Sequence, residues 1–431
     1  MAAIAAGLVY NLQVPPTKLS LPSHRDKEHP VARHWFIVTC LLAISASFAL
    51  FQNGARAAEG EKISFKKTHI DPVFRSEGVA VGDFNKDGKQ DIAAGYVWYE
   101  APDWKMHSMV EKAPEHDPHG YSHSFQTFAW DANKDGWTDV IIVDFPGSYT
   151  WWMENPKEPG KLWPQHELAR VTNNESPQLV DMDNDKSPEL LFAWSPDPAQ
   201  TDGPEKRVGF ARPTGDANEP WKLFPVSEKN APGANRFSHG LGMGDVNKDG
   251  RNDILIAEGW WEAPENPAES PWKWHPANFD AGGGAAQMYV YDFDNDGDND
   301  VFASSPHGIG VYWFEQVKPN QWEKHEIDKT YSQTHAVCLA DINGDGEPDL
   351  VTGKRHWAHG PSGDPEPNNP AVLYWYELSR AGNKASWTRH QIDHDSGVGT
   401  QFEVADVNGD QLLDIVISNK KGTFYFEQVR E

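Results

Sequence analysis

The feature that most constrains this chain is a nine-residue acidic pattern that returns seven times. It reads D-x-D/N-x-D-G-x-x-D, and each copy is followed by a short apolar run of the "DIVI" type. The copies start at Asp83 (DFNKDGKQD), Asp131 (DANKDGWTD), Asp181 (DMDNDKSPE), Asp245 (DVNKDGRND), Asp292 (DFDNDGDND), Asp341 (DINGDGEPD) and Asp406 (DVNGDQLLD). The starts are 48, 50, 64, 47, 49 and 65 residues apart. A unit near 50 residues holds four short strands and their turns, the size of one propeller blade. Apolar runs are short and broken by Gly, Pro, Asn and Asp, and helical spacing is scarce, so the chain reads as all-β.

Four strands can be placed in each repeat. Strand A is the run before the first Asp, such as Gly78–Gly82 or Ala336–Ala340. Strand B follows the last Asp, as in 349–352 or 414–418. Strand C carries an aromatic signature: VWYE (97–100), WWME (151–154), YWFE (312–315), YWYE (374–377) and FYFE (424–427). Strand D bears a histidine, as in QHELA (165–169), KHEID (324–328) and RHQID (389–393). The chain stops just after strand C of the seventh unit, and KKTHID (66–71) looks like a strand D with no unit before it. The expectation is a seven-bladed β-propeller of four-stranded blades, with the N-terminal strand closing the ring against the last blade.

The acidic loops read as calcium sites. Positions 1, 3, 5 and 9 offer oxygen side chains, position 6 is usually Gly for a sharp turn, and position 7 can give a carbonyl. Hard cations want this oxygen cage, and the layout is similar to the first nine residues of an EF-hand loop. The expected ligands are Asp83, Asn85, Asp87 and Asp91; Asp131, Asn133, Asp135 and Asp139; Asp181, Asp183, Asp185 and Glu189; Asp245, Asn247, Asp249 and Asp253; Asp292, Asp294, Asp296 and Asp300; Asp341, Asn343, Asp345 and Asp349; and Asp406, Asn408, Asp410 and Asp414. The third and seventh loops, where Lys186 and Gln411 replace Gly, are expected to bind more weakly, and the fifth most strongly. A metal-free acidic turn is the competing reading, since Asn, Asp and Gly also make turns.

Charge agrees with bound cations. The formal net charge is −26; residues 1–57 hold five cations against two carboxylates, so the remainder carries −29. That balance excludes nucleic acid and anionic membrane as partners. Seven Ca²⁺ would leave −15, so the metal is expected to be structural. The two cysteines, Cys40 and Cys338, leave no internal disulfide once a leader is removed.

Trp35 to Phe51 is an apolar run of signal-peptide length, with Ala55-Arg56-Ala57 as a small-x-small cleavage pattern. Residues 1–57 are therefore expected to be an export leader with an overlong first region, for which Val31 offers a later start. An uncleaved anchor is the alternative. Residues 58–431 are expected to form one propeller, secreted or periplasmic. No later segment is apolar enough to span a membrane as a helix.

Taken together, these loops resemble the FG-GAP/VCBS repeats of integrin α-subunit propellers and of many secreted bacterial proteins. The resemblance covers residues 64–431 and rests on the acidic loops; the phrase "FG-GAP" itself is barely visible. It implies carbohydrate or protein binding, and some related propellers are polysaccharide lyases or sugar dehydratases. Fold alone does not choose among these.

Function is expected at the face opposite the acidic loops, where the D-to-A and B-to-C links meet. Six residues before each first Asp lie Glu77, Phe125, Glu175, His239, Ala286, His335 and Thr400. The first D-to-A link adds Glu115, His116, Asp117, His119, Tyr121 and His123. The B-to-C links add Glu258, Trp260, His307, Lys354, Arg355, His356, Trp357, His359 and Lys420, with the sixth link long enough to act as a flap. Aromatic rings suit sugar stacking, and Arg and Lys suit sugar-acid carboxylates. Glu and His can hold a transition metal or act as acid and base. The catalytic candidates are His239, His335, Arg355, His356 and Lys354. The ligand-face candidates are Glu77, His119, His123, Glu175, Glu258, Trp260, His307 and His359.

Any single histidine among these is more often a capping residue than a catalyst. The strand-D histidines, His69, His166, His325 and His390, recur with the repeat and are assigned to blade structure. Three functions remain open: a carbohydrate-binding module, a carbon–oxygen lyase or dehydratase acting on sugars or sugar acids, and an adhesion module with a protein partner.

Overall fold

A computed structural model describes residues 62–216 and 218–431. The expected leader and Cys40 lie outside the described residues. Among the described residues the structure is all-β, with one short 3-10 turn at Gly360–Ser362. No described helix is long and apolar enough to cross a membrane.

The strands pair as curled antiparallel meanders. Ala80–Gly82, Asp91–Ala94, Val97–Glu100 and Lys105–Ser108 pair in chain order. The same order recurs from Gln126–Trp130 to Gln165–Thr172, from Gln178–Val180 to Lys222–Pro225 and from Leu241–Gly244 to Lys273–Pro276. It recurs again from Gln287–Tyr291 to Gln321–Ser332 and from Val337–Ala340 to Ala385–Asp393. The last meander has Phe402–Ala405, Asp414–Asn419 and Gly422–Arg430, and its fourth strand is Ile63–Asp71 from the other end of the chain. That pairing runs antiparallel from Ile63 opposite Arg430 to Asp71 opposite Thr423.

The first strands of successive meanders lie side by side. Leu241–Gly244 pairs in parallel with Gln287–Tyr291, and Ala80–Gly82 lies against both Gln126–Trp130 and Phe402–Ala405. Buried glutamines tie these strands together. Gln401 exchanges hydrogen bonds with the backbone of Val79, 2.9 and 2.8 Å, and Gln126 donates to the Glu175 carbonyl, 2.8 Å. Gly399 is required here: a Cβ would sit 1.9 Å from the Glu77 carbonyl oxygen and 2.3 Å from that of Ser418.

The second strand of each meander is buried on both faces, as in Asp349–Gly353, which explains its continuous Val, Ile and Leu content. Neighbouring sheets share apolar cores; Val79, Ile92 and Tyr99 of the first pack with Val416, Ile417 and Phe424 of the last. Removing a fully buried ring such as Phe302 costs about 3–5 kcal/mol by the usual cavity rule.

A second device repeats in the outer strands. The strand-D histidine stacks on the strand-C tryptophan and bonds the strand-C glutamate. His107 stacks on Trp98 and meets Glu100 at 2.7 Å. His275 stacks on Trp260 and meets Glu262 at 2.7 Å, and His325 stacks on Trp313 and meets Glu315 at 2.6 Å. His166 and His390 do the same with Glu154 and Glu377. His69 differs: it stacks on Phe424, and its Nε2 lies 3.2 Å from the Lys421 carbonyl oxygen. Trp260 has its ring committed to the histidine stack.

Candidate functional site

In each meander the acidic loop joins the first strand to the second, so every loop lies at one end of the sheets. The loops are curled by their own side chains. In the first, Asp83 accepts the N–H groups of Asp87 and Gly88, 3.2 and 3.0 Å, and Asp87 accepts that of Lys89, 2.9 Å. Position 6 needs the left-handed region: Gly88 has φ +87° and Gly297 +105°, while Lys186 and Gln411 are held at +71° and +70°. Side chains rarely adopt that conformation without cost. Carboxylate oxygens of Asp292, Asp294 and Asp296 lie within 4.8 Å of one another. The clustered hard oxygens fit a calcium ion.

Position 9 has a further task. Asp349 accepts the N–H groups of Ile342 and Leu378, both 3.0 Å, and Asp253 those of Val246 and Ala263, both 2.9 Å. It stitches the loop to the third strand. Burial pushes the carboxyls of Asp139, Asp253, Asp300 and Asp349 up to about 7, and those of Asp91 and Asp414 to about 6. The third loop differs: Arg212 reaches Asp183 and donates to Glu189. Sequence reasoning missed that guanidinium, because it comes from a strand outside the motif.

At the opposite end, links from several meanders converge. Glu175, His239 and His335 come from three D-to-A links, and His307 from a B-to-C link. Glu175 Oε2 lies 3.3 Å from His239 Nε2 and 3.2 Å from His335 Nε2. The Nε2 atoms of His239 and His307 are 2.8 Å apart. Asp364, on the long sixth link, lies 3.3 Å from His307 Nδ1 and 3.0 Å from His359 Nδ1. Arg355 bonds Glu77, and its Nη1 lies 4.0 Å from Glu175.

The cluster is buried: His335 has no exposed surface, and Arg355 is 2% exposed. Burial, then the nearby Arg355, hold His335 well below the ordinary histidine range, and burial lowers His307 as well. Burial alone would raise Glu175, yet the His239 and His335 rings outweigh it and hold the carboxyl well below its usual value. A buried carboxylate thus sits among imidazole rings, the residue types of a transition-metal ligand set.

Other expected residues stand apart. His356 stacks on Trp357, and burial, with Lys421 and Lys420, pushes it to about 4. Lys354 is buried and donates to Ser332, 2.7 Å. His119 and His123 pair with Asp117 and Asp144, and Glu258 is exposed. None of these bonds a member of the His–Glu cluster.

Beside the cluster is an aromatic surface whose extent the sequence did not reveal. Tyr121, Phe145 and Phe237 form a chain of ring contacts, 5.1 and 5.6 Å between centroids. Tyr121 is 36% and Phe237 42% exposed. Phe237 sits at φ +64°, an uncommon position for a bulky residue. Arg236 lies over the Phe237 ring at 4.5 Å, and Lys420 over the Tyr121 ring at 4.5 Å. A cleft of about 620 Å³ at the acidic-loop end is lined by Trp104, Tyr425, Lys66, Lys89 and Asp406 among others and holds no member of the His–Glu cluster.

Comparison with known families matches the FG-GAP-like repeat over residues 131–192 and 273–352 and the FG-GAP repeat over 77–98. No curated protein matches the sequence. Similar solved structures include an Agrocybe aegerita lectin that recognises non-reducing terminal N-acetylglucosamine. It is 14% identical with TM-score 0.44, over 85% of this chain and 86% of that one. The rhamnogalacturonan lyase YesW is 14% identical with TM-score 0.40, over 86% and 72%. A Bacillus licheniformis rhamnogalacturonan lyase is 13% identical with TM-score 0.39, over 85% and 71%. The repeat matches fall on acidic loops and the strands around them, so this chain contains FG-GAP and FG-GAP-like repeats.

Proposed function

We propose that the protein is an exported, calcium-stabilised seven-bladed β-propeller that binds carbohydrate, including acidic glycan, on the face opposite its acidic loops. The carrying observation is the contiguous, partly exposed surface of Tyr121, Phe145 and Phe237 beside a recess of fixed charges. Flat rings stack on sugar faces at little entropic cost. Arg236 places a cation at this surface, with Lys420 and Arg355 buried beneath the rings, in a chain whose net charge is −26, and a cation there suits uronate carboxylates. Four-strand meanders whose first strands lie together, with the N-terminal strand completing the last sheet, support the seven-bladed reading.

The His–Glu cluster favours a second reading, a sugar-acid lyase. His239, whose side chain is 11% exposed, would take the proton next to the sugar carboxylate. The carbon–oxygen bond β to it would break, and the proton taken by His239 would pass to the departing oxygen. A protein-binding adhesion module remains the third reading.

Calorimetric titration with neutral and acidic oligosaccharides, with absorbance followed at the unsaturated-uronate band, tests the proposal. Binding without new absorbance supports the binding module, and rising absorbance supports the lyase. No binding to any oligosaccharide would reject both and leave the protein-partner reading.

A further inference from the structure

We propose that Glu175, His239, His307 and His335 form a site for one divalent transition-metal ion of the zinc class, separate from the calcium loops. One ligand atom from each lies within 4.8 Å of the others. The three imidazole rings meet edge to face in pairs, with centroids 4.5, 5.3 and 5.2 Å apart and interplanar angles of 87°, 73° and 81°. Three rings so arranged aim nitrogens at a common point. Ligands about 2.0–2.1 Å from a tetrahedral ion lie roughly 3.3 Å from each other. The Glu175 contacts, 3.3 and 3.2 Å, have that spacing, and the His239–His307 pair is closer at 2.8 Å.

A second observation is independent of the spacing. Nδ1 of His335 is buried without a hydrogen-bond partner, while Nε2 of His335 and Nδ1 of His307 meet only the Glu175 and Asp364 carboxylates, at 3.2 and 3.3 Å and outside hydrogen-bond geometry. A native interior seldom leaves such groups unpaired. An ion at the centre would take the Nε2 lone pairs of His335, His239 and His307 together. Asp364, 3.3 Å from His307 Nδ1, then stands where a carboxylate orients a metal-bound histidine.

The donor set selects the metal. Three imidazoles and one carboxylate suit zinc, cobalt, nickel or iron rather than calcium, which prefers six to eight oxygens. The link geometry supplies the site: three of the four donors precede a first strand, where the meanders approach one another. The inference concerns this metal alone and stands whether or not the face binds sugar.

The test is a Co²⁺ titration of the chelator-treated full chain in excess Ca²⁺, which keeps the acidic loops filled. Visible d–d absorption reports Co²⁺ bound by imidazole and carboxylate. The expected result is saturation at one equivalent, displaced by Zn²⁺. His239→Ala and His307→Ala should abolish it while circular dichroism stays unchanged, and Asp364→Ala should weaken it about 10–100-fold. The loop variant Asp296→Ala should leave it intact. Absence of the d–d bands in the folded wild-type protein, or bands that survive in folded His239→Ala and His307→Ala, would overturn the proposal. Sugar binding enters none of these readouts.

Discussion

The Nε of Arg212 donates to Glu189 Oε1 at 2.7 Å, placing a guanidinium among the side chains expected to hold calcium in the third acidic loop. Its Nη2 also reaches Asp183. Cations also meet ligand carboxylates of other loops, at Asp87, Asp135, Asp249 and Asp292, but Arg212 reaches the buried ninth position, where it would compete with a calcium ion. Calcium is therefore expected in the regular loops and not in the third. Elemental analysis after dialysis against calcium checks this. The double variant Arg212→Ala with Lys186→Gly should gain one further calcium ion per chain; a wild type that already fills the third loop would contradict the reading.

Calcium should stabilise the protein more at higher pH. Burial raises Asp139, Asp253, Asp300 and Asp349 to about 7, and Asp91 and Asp414 to about 6. Unfolded aspartates titrate near about 3.9. A raised folded-state pKa in an acid favours the neutral form, so the metal-free fold loses stability as pH rises from about 4 through 7. Calcium binds the ionised form and reverses that loss. The melting-temperature gain on adding Ca²⁺ should be clearly larger at pH 8 than at pH 5. An equal gain at both would show that these carboxylates take no part.

The histidine, tryptophan and glutamate of the outer strands should act as a packing device. His325→Ala loses the stack on the buried Trp313 and the bond to Glu315, and the histidine and glutamate are partly exposed. The expected cost is about 1 kcal/mol, read from the urea midpoint, with no change in metal or sugar binding. A change in either would move this histidine out of the structural class.

The repeat architecture was legible because it is written in local chemistry. Each acidic loop fixes a turn between two buried strands, and its period sets the length of the sheet. The unpaired KKTHID segment announced the pairing with Gly422–Arg430, although the strand begins earlier, at Ile63. Positions just before each first strand were also legible, because seven copies supply a register; Glu77, Glu175, His239 and His335 all came from it. His307 came instead from its place in a B-to-C link.

What stayed hidden came from long-range placement. Asp364 belongs to the long sixth link, where no repeat gives a register. Phe145 and Phe237 are unremarkable in sequence and meet only because two links from different meanders fold together. Arg212 lies 23 residues beyond Glu189, too far for a motif to include. Conversely, Trp260 and Lys354 lie in the expected B-to-C links but are held by stacking and burial, which position in a link cannot report.

The most direct test of the carbohydrate face compares Phe237→Ala with Trp104→Ala, one ring from each end of the meanders. Both variants are titrated with acidic and neutral oligosaccharides in saturating Ca²⁺, alongside the wild type. Stacking contacts of this kind contribute about 1.4 kcal/mol, which is tenfold in affinity. The account predicts that Phe237→Ala weakens binding about tenfold while Trp104→Ala leaves it unchanged. Binding lost in Trp104→Ala and kept in Phe237→Ala would place the sugar at the acidic-loop end and contradict the account.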